Sequence, residues 1–196
     1  MVRLARTLII ALCFVLFSFS LSFAVSVVSP SANAVIYSDS ILVSVKVTEK
    51  ISIKVTVYEA KDKDELGNAV AVDVSKMNTD DIALIASYRL AAENTEAPAL
   101  SNGTKAKKYS EVIFSPAVNY TNNGDVGFYT KQLSGVKPGL YRVQVDSLGE
   151  NGEVISTVSS MVAVREKDDK VDQNIFEGQT TSILQYVQNM LRKLFR

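Results

Sequence analysis

The chain has no histidine, no tryptophan and a single cysteine, Cys13. Without imidazole there is no histidine-based triad and no histidine metal ligand. Because Cys13 lies in an apolar N-terminal run, the rest of the chain has no thiolate ligand, cysteine nucleophile or disulfide framework. Charge of one sign is also lacking: 21 basic residues face 21 acidic ones, so no global field draws the protein to nucleic acid.

What is present begins with an export pattern. Arg3 and Arg6 precede "TLIIALCFVLFSFSLSFAV" (Thr7 to Val25), which carries no charge. A basic stretch followed by an apolar one is the order of a secretory signal. Ser22-Phe23-Ala24 and Ala32-Asn33-Ala34 both offer small-x-small cleavage sites, and the cut after Ala24 is preferred because the later one removes "VSVVSP", which reads as a strand. Cys13 follows the bulky Leu12 in mid-run, which argues against a lipoprotein. The alternative is an uncleaved membrane anchor, since nineteen uncharged residues approach spanning length. Ser18, Ser20 and Ser22 weaken the far end of the run as a signal's last region does. A secreted or cell-surface-associated protein is therefore expected. Loss of residues 1–24 leaves two fewer basic than acidic residues, a formal charge of about −2. A domain of this size buries roughly 70% of its unfolded surface, enough for a core that holds without disulfides.

The dominant pattern after the leader has period two. Ile41, Val43, Val45 and Val47 share one face, and after Glu49-Lys50 so do Ile51, Ile53, Val55 and Val57. This alternation predicts two half-buried strands joined by a tight turn, with Ser44, Lys46, Thr48, Ser52, Lys54 and Thr56 facing water. "VSVVSP", "AVAVDVS" (Ala69 to Ser75), "SEVIFS", "VGFYTKQL", "LYRVQVDSL" and "EVISTVSSMVAV" read as further strands, with "NNGD" (Asn122 to Asp125) and Asn151-Gly152 as turns. About eight short strands separated by turns predict an all-β sandwich. Tyr141, Val143 and Val145 fall on one face of their strand, Arg142, Gln144 and Asp146 on the other, and Pro138-Gly139 forms the corner that leads into it.

Leu133-x-x-Val136-x-Pro138-Gly139-x-Tyr141-x-Val143-x-Val145 resembles the tyrosine corner of immunoglobulin-like and fibronectin type III-like domains. "VVSPSANAVIYSDSILVSVKV" (Val27 to Val47) resembles the first two strands of bacterial immunoglobulin-like modules, with Pro30 at the break. The resemblance covers roughly residues 25–165. It implies an immunoglobulin-like β-sandwich of about seven or eight strands over 25–164, with the phenolic hydroxyl of Tyr141 reaching back to a backbone group while its ring fills the core. The core tryptophan and cysteine pair of antibody domains are missing, and a long insert, residues 76–108, departs from the pattern.

Within that insert Thr79-Asp80-Asp81 is expected to cap a helix through "IALIASYRLAAEN", although its apolar residues form no clean stripe. "TEAPALSNGTKAKK" (Thr95 to Lys108) reads as a mobile loop, either a binding surface or a solvated insertion. Asn102-Gly-Thr104 and Asn119-Tyr-Thr121 match the glycosylation sequon, which matters only in a eukaryotic secretory pathway. Asp62-x-Asp64-x-x-Gly67 echoes a calcium loop, but Leu66 stands where an oxygen ligand is needed and Asp73 where a glutamate belongs, so it reads as a solvated turn.

After Val164 the composition changes. Seven of the eight residues in "REKDDKVD" are charged, so residues 165–181 read as a linker. Ser182 and Gln185 then make a capping box at the head of an amphipathic helix over 182–196. Ile183, Leu184, Val187, Met190, Leu191, Leu194 and Phe195 fall within about a 140° arc, with Arg192, Lys193 and Arg196 outside it. A helix this short needs a surface for its stripe. Its own domain, an envelope protein, cell-wall component or second copy of the chain, and an anionic membrane surface are the three candidates.

These observations predict an exported, non-catalytic binding or structural module of the cell envelope or surface, with no cofactor and no nucleic-acid partner. The competing class is a secreted carboxylate-dependent hydrolase, or an accessory domain of an extracellular enzyme, because paired acids need no sequence motif.

Overall fold

The structure, a computed structural model, describes residues 24–166. The expected leader, the terminal helix and all of the charged linker beyond Glu166 lie outside the described residues. The described chain is mostly β, in the order β1 (Val25–Ser29), β2 (Ala34–Tyr37), β3 (Ser40–Val47), β4 (Ser52–Lys63), β5 (Ala69–Ala71), α1 (Thr79–Leu90), β6 (Ser110–Thr121), β7 (Gly127–Ser134), β8 (Gly139–Leu148) and β9 (Val154–Arg165). One sheet is β1-β3-β7. The other runs β2-β9-β8-β4-β5, with β6 also paired to β4.

Alternation dictates where these strands aim. Ile41, Val43, Val45 and Val47 of β3 and Ile53, Val55 and Val57 of β4 are all buried in one cluster, which Tyr141, Val143, Val145, Val162 and Val164 complete from β8 and β9. β3 and β4 do not pair: β3 lies between β1 and β7, β4 between β6 and β8. The tight turn at Glu49-Lys50 therefore carries the chain from one sheet to the other.

A buried amide holds that crossing. Asn122 lies at the end of β6, 4% exposed. Its Nδ2 donates to the carbonyls of Glu49 (2.8 Å), Gly124 (2.9 Å) and Val47 (3.4 Å), while its backbone N–H donates to Ile51 O at 3.0 Å. Gly127 makes room for it, since a Cβ there would overlap both Asn122 Oδ1 and the Tyr120 hydroxyl. "NNGD" is thus more than a turn, and its first residue fastens three segments.

The first strand region divides in two. β1 pairs antiparallel with β3, whereas β2 runs parallel to β9 across the other sheet. Pro30 stands at the break, where it offers no N–H to either ladder. β6 continues to Thr121, well past "SEVIFS", and contains Pro116. A proline is tolerated there because β6 is an edge strand whose register with β4 slips around Val55 to Tyr58.

The larger sheet is covered on both faces. Met161, Val162, Ala163 and Val164 are buried in succession, the even-numbered pair in the first core and the odd-numbered pair in a second one. That second core also takes Leu140 of β8, Ile82 and Ile85 of α1, and Leu100 and Ala106 of the following loop. The outer face is consequently less exposed than alternation predicts. Thr56, expected to face water, is 4% exposed.

Asn122→Ala is expected to lower stability by about 2 kcal/mol, because it removes a buried amide that bonds three carbonyls. Gly127→Ala displaces the same amide and should cost a comparable amount, with the double variant falling short of the sum. Urea midpoints at unchanged slope provide the measurement. An unchanged midpoint for Asn122→Ala would mean that the crossing stands without this amide.

Candidate functional site

The insert is built from its cap outward. Asn78, one residue before the expected Thr79-Asp80-Asp81 cap, is the N-cap of α1: its Oδ1 accepts from Asp81 N at 2.8 Å, and Asp81 Oδ2 accepts from Asn78 N at 3.0 Å. Asp81 is nearly fully buried and also accepts from the Ser101 amide at 2.7 Å and from the Ser101 hydroxyl. Burial pushes its carboxyl up, but the Ser101 and Asn78 donors outweigh that and hold it below the ordinary carboxylate value. One acid therefore ties the head of the helix to a loop twenty residues further on. The segment expected to be a mobile loop is organised by that link, by an Ala99–Lys105 bridge, and by Ala106 N donating to Pro98 O at 2.8 Å. At the other end of α1, Lys108 Nζ donates to Ala91 O at 2.6 Å.

The helix's inward stripe follows from spacing: Ile82, Ile85, Ala86 and Arg89 stand at i, i+3, i+4 and i+7. The first two are fully buried. Arg89, however, brings a cation to a position where an apolar residue is usual. Its Nε is buried and has no hydrogen-bond partner. It borders a recess of about 250 Å³ between the end of α1 and the outer face of β8 and β9, lined also by Asn33, Ser87, Arg142, Ser159 and Met161.

Arg142 belongs to a polar ladder across that outer face. Its Nε and Nη2 grip Glu111 at 2.6 and 2.5 Å, its Nη1 donates to Gln144, and its guanidinium lies 4.3 Å from the centre of the Tyr58 ring. Gln144 donates on to Asp146 at 2.8 Å, which also accepts from Thr157 at 2.8 Å and faces Lys54 at 3.5 Å. Within the ladder each cation has an acid. Arg89 has none: among the described residues it makes no ion pair.

A second concavity lies at the opposite end of the insert. A cleft of about 650 Å³ is bordered by Tyr37, Asp73, Val74, Pro138, Arg165 and Glu166. Arg165, expected to open the charged linker, instead closes β9. Its guanidinium donates to Val74 O (3.0 Å), to Met77 O and to the Tyr37 hydroxyl (3.0 Å), so it fastens the insert to the sheet. This arginine is engaged by the fold, and the recess beside Arg89 is the candidate site.

The residues singled out from sequence occupy a third place. The Tyr141 hydroxyl donates to Lys137 O at 2.9 Å, and its fully buried ring meets Phe114 edge-on with centroids 5.2 Å apart. Burial, and then the Glu59 carboxylate, push that hydroxyl up to about 12. Pro138 and Gly139 lead into β8 as expected, but the left-handed residue of the corner is Gly135, at φ 68°. The calcium-like loop closes on itself, with Asp64 Oδ1 accepting from the amides of Leu66 and Asn68. Ile183, Leu184, Val187, Met190, Leu191, Leu194 and Phe195, expected to form the docking stripe, lie outside the described residues. Among the described residues no helix is long and apolar enough to cross a membrane.

A scan against protein-family models and a search of curated proteins return no match, so the site is read from its own geometry.

Asn78→Ala is expected to cost about 1 kcal/mol, as loss of a cap does. Asp81 contributes stability that is complete above its unfolded value, 3.8, and is lost as pH falls through its depressed folded value. Asp81→Asn should therefore be less stable near neutrality and lose less on acidification, read from urea midpoints against pH. Tyr141 has the opposite sign: its raised value gives stability that is complete below about 10 and declines towards 12. Tyr141→Phe should cost about 1 kcal/mol at neutral pH and flatten that alkaline decline. An identical alkaline limb in wild type and variant would remove Tyr141 from it.

Proposed function

We propose that the protein is an exported, non-catalytic binding or structural module of the cell envelope or surface, built on an immunoglobulin-like or fibronectin type III-like β-sandwich. The observation that carries the binding part is the insert. It is fixed to one face of the larger sheet by its own core, and beside that core it leaves a recess bordered by two arginines. A rigid frame that positions a small cationic hollow suits recognition, and loops on such frames are where binding residues concentrate.

Support for the sandwich comes from topology and from one tyrosine. The chain crosses repeatedly between two sheets, with β1, β3 and β7 in one and β2, β4, β5, β6, β8 and β9 in the other. The tyrosine at the start of the penultimate strand bonds back to the preceding corner, as in that family. Such likeness speaks for architecture, and role is argued from the site. Export rests on the leader pattern, with cleavage after Ala24. The stripe from Ile183 to Phe195 is the proposed docking segment for an envelope protein, a cell-wall component or a second copy of the chain, with a membrane surface as the lipid alternative.

Two proteins, residues 25–196 and 25–178, separate these parts when sedimented with wall and membrane fractions of the host envelope. Retention of both is expected, stronger for the longer one. Retention of the longer protein alone would assign attachment to the terminal segment and none to the insert face. Retention of neither would remove the envelope role.

A further inference from the structure

We propose that the recess between the end of α1 and the outer face of β8–β9 is an oxyanion-binding site, in which Arg89 and Arg142 hold the carboxylate or sulfate group of a small extracellular ligand. The proposal names the ligand class of the binding module argued above and rests on that reading for where the ligand comes from.

Arg89 presents a buried donor without an acceptor. A guanidinium is always charged and carries five N–H donors, and burying one of them unpaired is unfavourable. Arg89 Nε is in that position. The ordinary structural uses of an arginine at this place are taken by other groups. The backbone carbonyl just beyond the helix end accepts from Lys108, and the Glu111 carboxylate is gripped by Arg142 with both of its oxygens. Around the recess two guanidiniums thus share one acid, an excess of one positive charge. Burial, and then the Arg142 charge, lower Arg89 below the ordinary guanidinium value, with Glu111 opposing. An incoming oxyanion would oppose the Arg142 charge and supply the acceptor that this guanidinium lacks.

Shape and chemistry narrow the class. Guanidinium forks match the spacing of carboxylate and sulfate oxygens and bind them with paired, charge-assisted hydrogen bonds. Ser159 adds a hydroxyl and Asn33 an amide at the rim. A hollow of about 250 Å³ lies below the range of drug-sized pockets, so it admits an anionic group with little more than the ring or short chain that bears it. Met161 forms part of the wall, an apolar surface for that ring.

The test uses the chain from Val25 onward, which keeps every strand of both sheets. ¹⁵N-labelled protein is titrated with sodium sulfate against sodium chloride at equal ionic strength, and amide shifts are followed. Saturable shifts at residues 86–90, Arg142 and Ser159 are expected with sulfate and not with chloride. Acetate in place of sulfate distinguishes the carboxylate form of the same chemistry. Arg89→Met should weaken binding about tenfold or more, and Arg89→Lys, which keeps the charge and loses the fork, by less. The methionine variant also controls for the general effect of sulfate on folded proteins. Absence of saturable shifts at the recess in the wild type, or an affinity unchanged in Arg89→Met, overturns the site. Should Arg89→Met fail to fold, the position of the wild-type shifts decides. The same samples are sedimented with envelope fractions. Envelope retention without an anion response overturns the oxyanion site and leaves the binding module standing. An anion response without retention upholds the site and removes the envelope as the ligand's source.

Discussion

The constraint on which most of this structure depends is two-sided burial of the β8–β9 pair. A sheet in a two-sheet protein ordinarily has one wet face. Here Leu140, Met161 and Ala163 are as fully enclosed as the valines opposite them, because the insert covers the outer face. That cover obliges the insert to be fixed. Its ties are individually small: the Asn78–Asp81 cap, the Asp81–Ser101 link and the Arg165 contacts with Val74 and Met77. Together they hold the helix against a sheet whose strand β8 also carries Arg142 and Asp146, 5% and 4% exposed.

Enclosing charged groups on a sheet face demands that they satisfy one another, since an unpaired buried charge costs far more than a paired one. The ladder from Glu111 through Arg142 and Gln144 to Asp146 does this in a continuous row, with i, i+2 spacing along β8 supplying the repeat. Asp81 and Asn122 obey the same rule in other parts of the molecule. Arg89 is the departure. Departures from local consistency are where strain or function is expected, which is why the reading of the site turns on this residue and not on the larger cleft beside Arg165.

Much of the frame was legible because period two is a strong signal when one strand face is buried. The inward residues of β3, β4 and β8 were all read from alternation, and Tyr141 from its spacing after Pro138-Gly139. The rest was hidden for physical reasons. β2 is four residues long and pairs in parallel with a strand some 130 positions away, a contact no local pattern encodes. The buried run "MVAV" breaks alternation, and that break is itself the mark of a strand covered on both faces. Asn122 looked like a turn residue because its composition is that of a turn, whereas its role depends on where β3 crosses to β4. Arg165 stands first in a run of charges that reads as a linker, although its side chain reaches back to Val74, Met77 and Tyr37. The insert's helix shows no clean stripe because Leu84 and Leu90 face outward while Arg89 stands on the inward spacing.

An arginine on the inward stripe also sets the character of the recess. A leucine at position 89 would take the cation away from a space that Met161 also lines. An arginine instead brings a second guanidinium to the border of the recess that Arg142 lines. The charge of Arg142 opposes that of Arg89, and Glu111, which counters this, is gripped by Arg142. Packing and recognition thus compete for the same helical position, and in this molecule the second core ends where the cation begins.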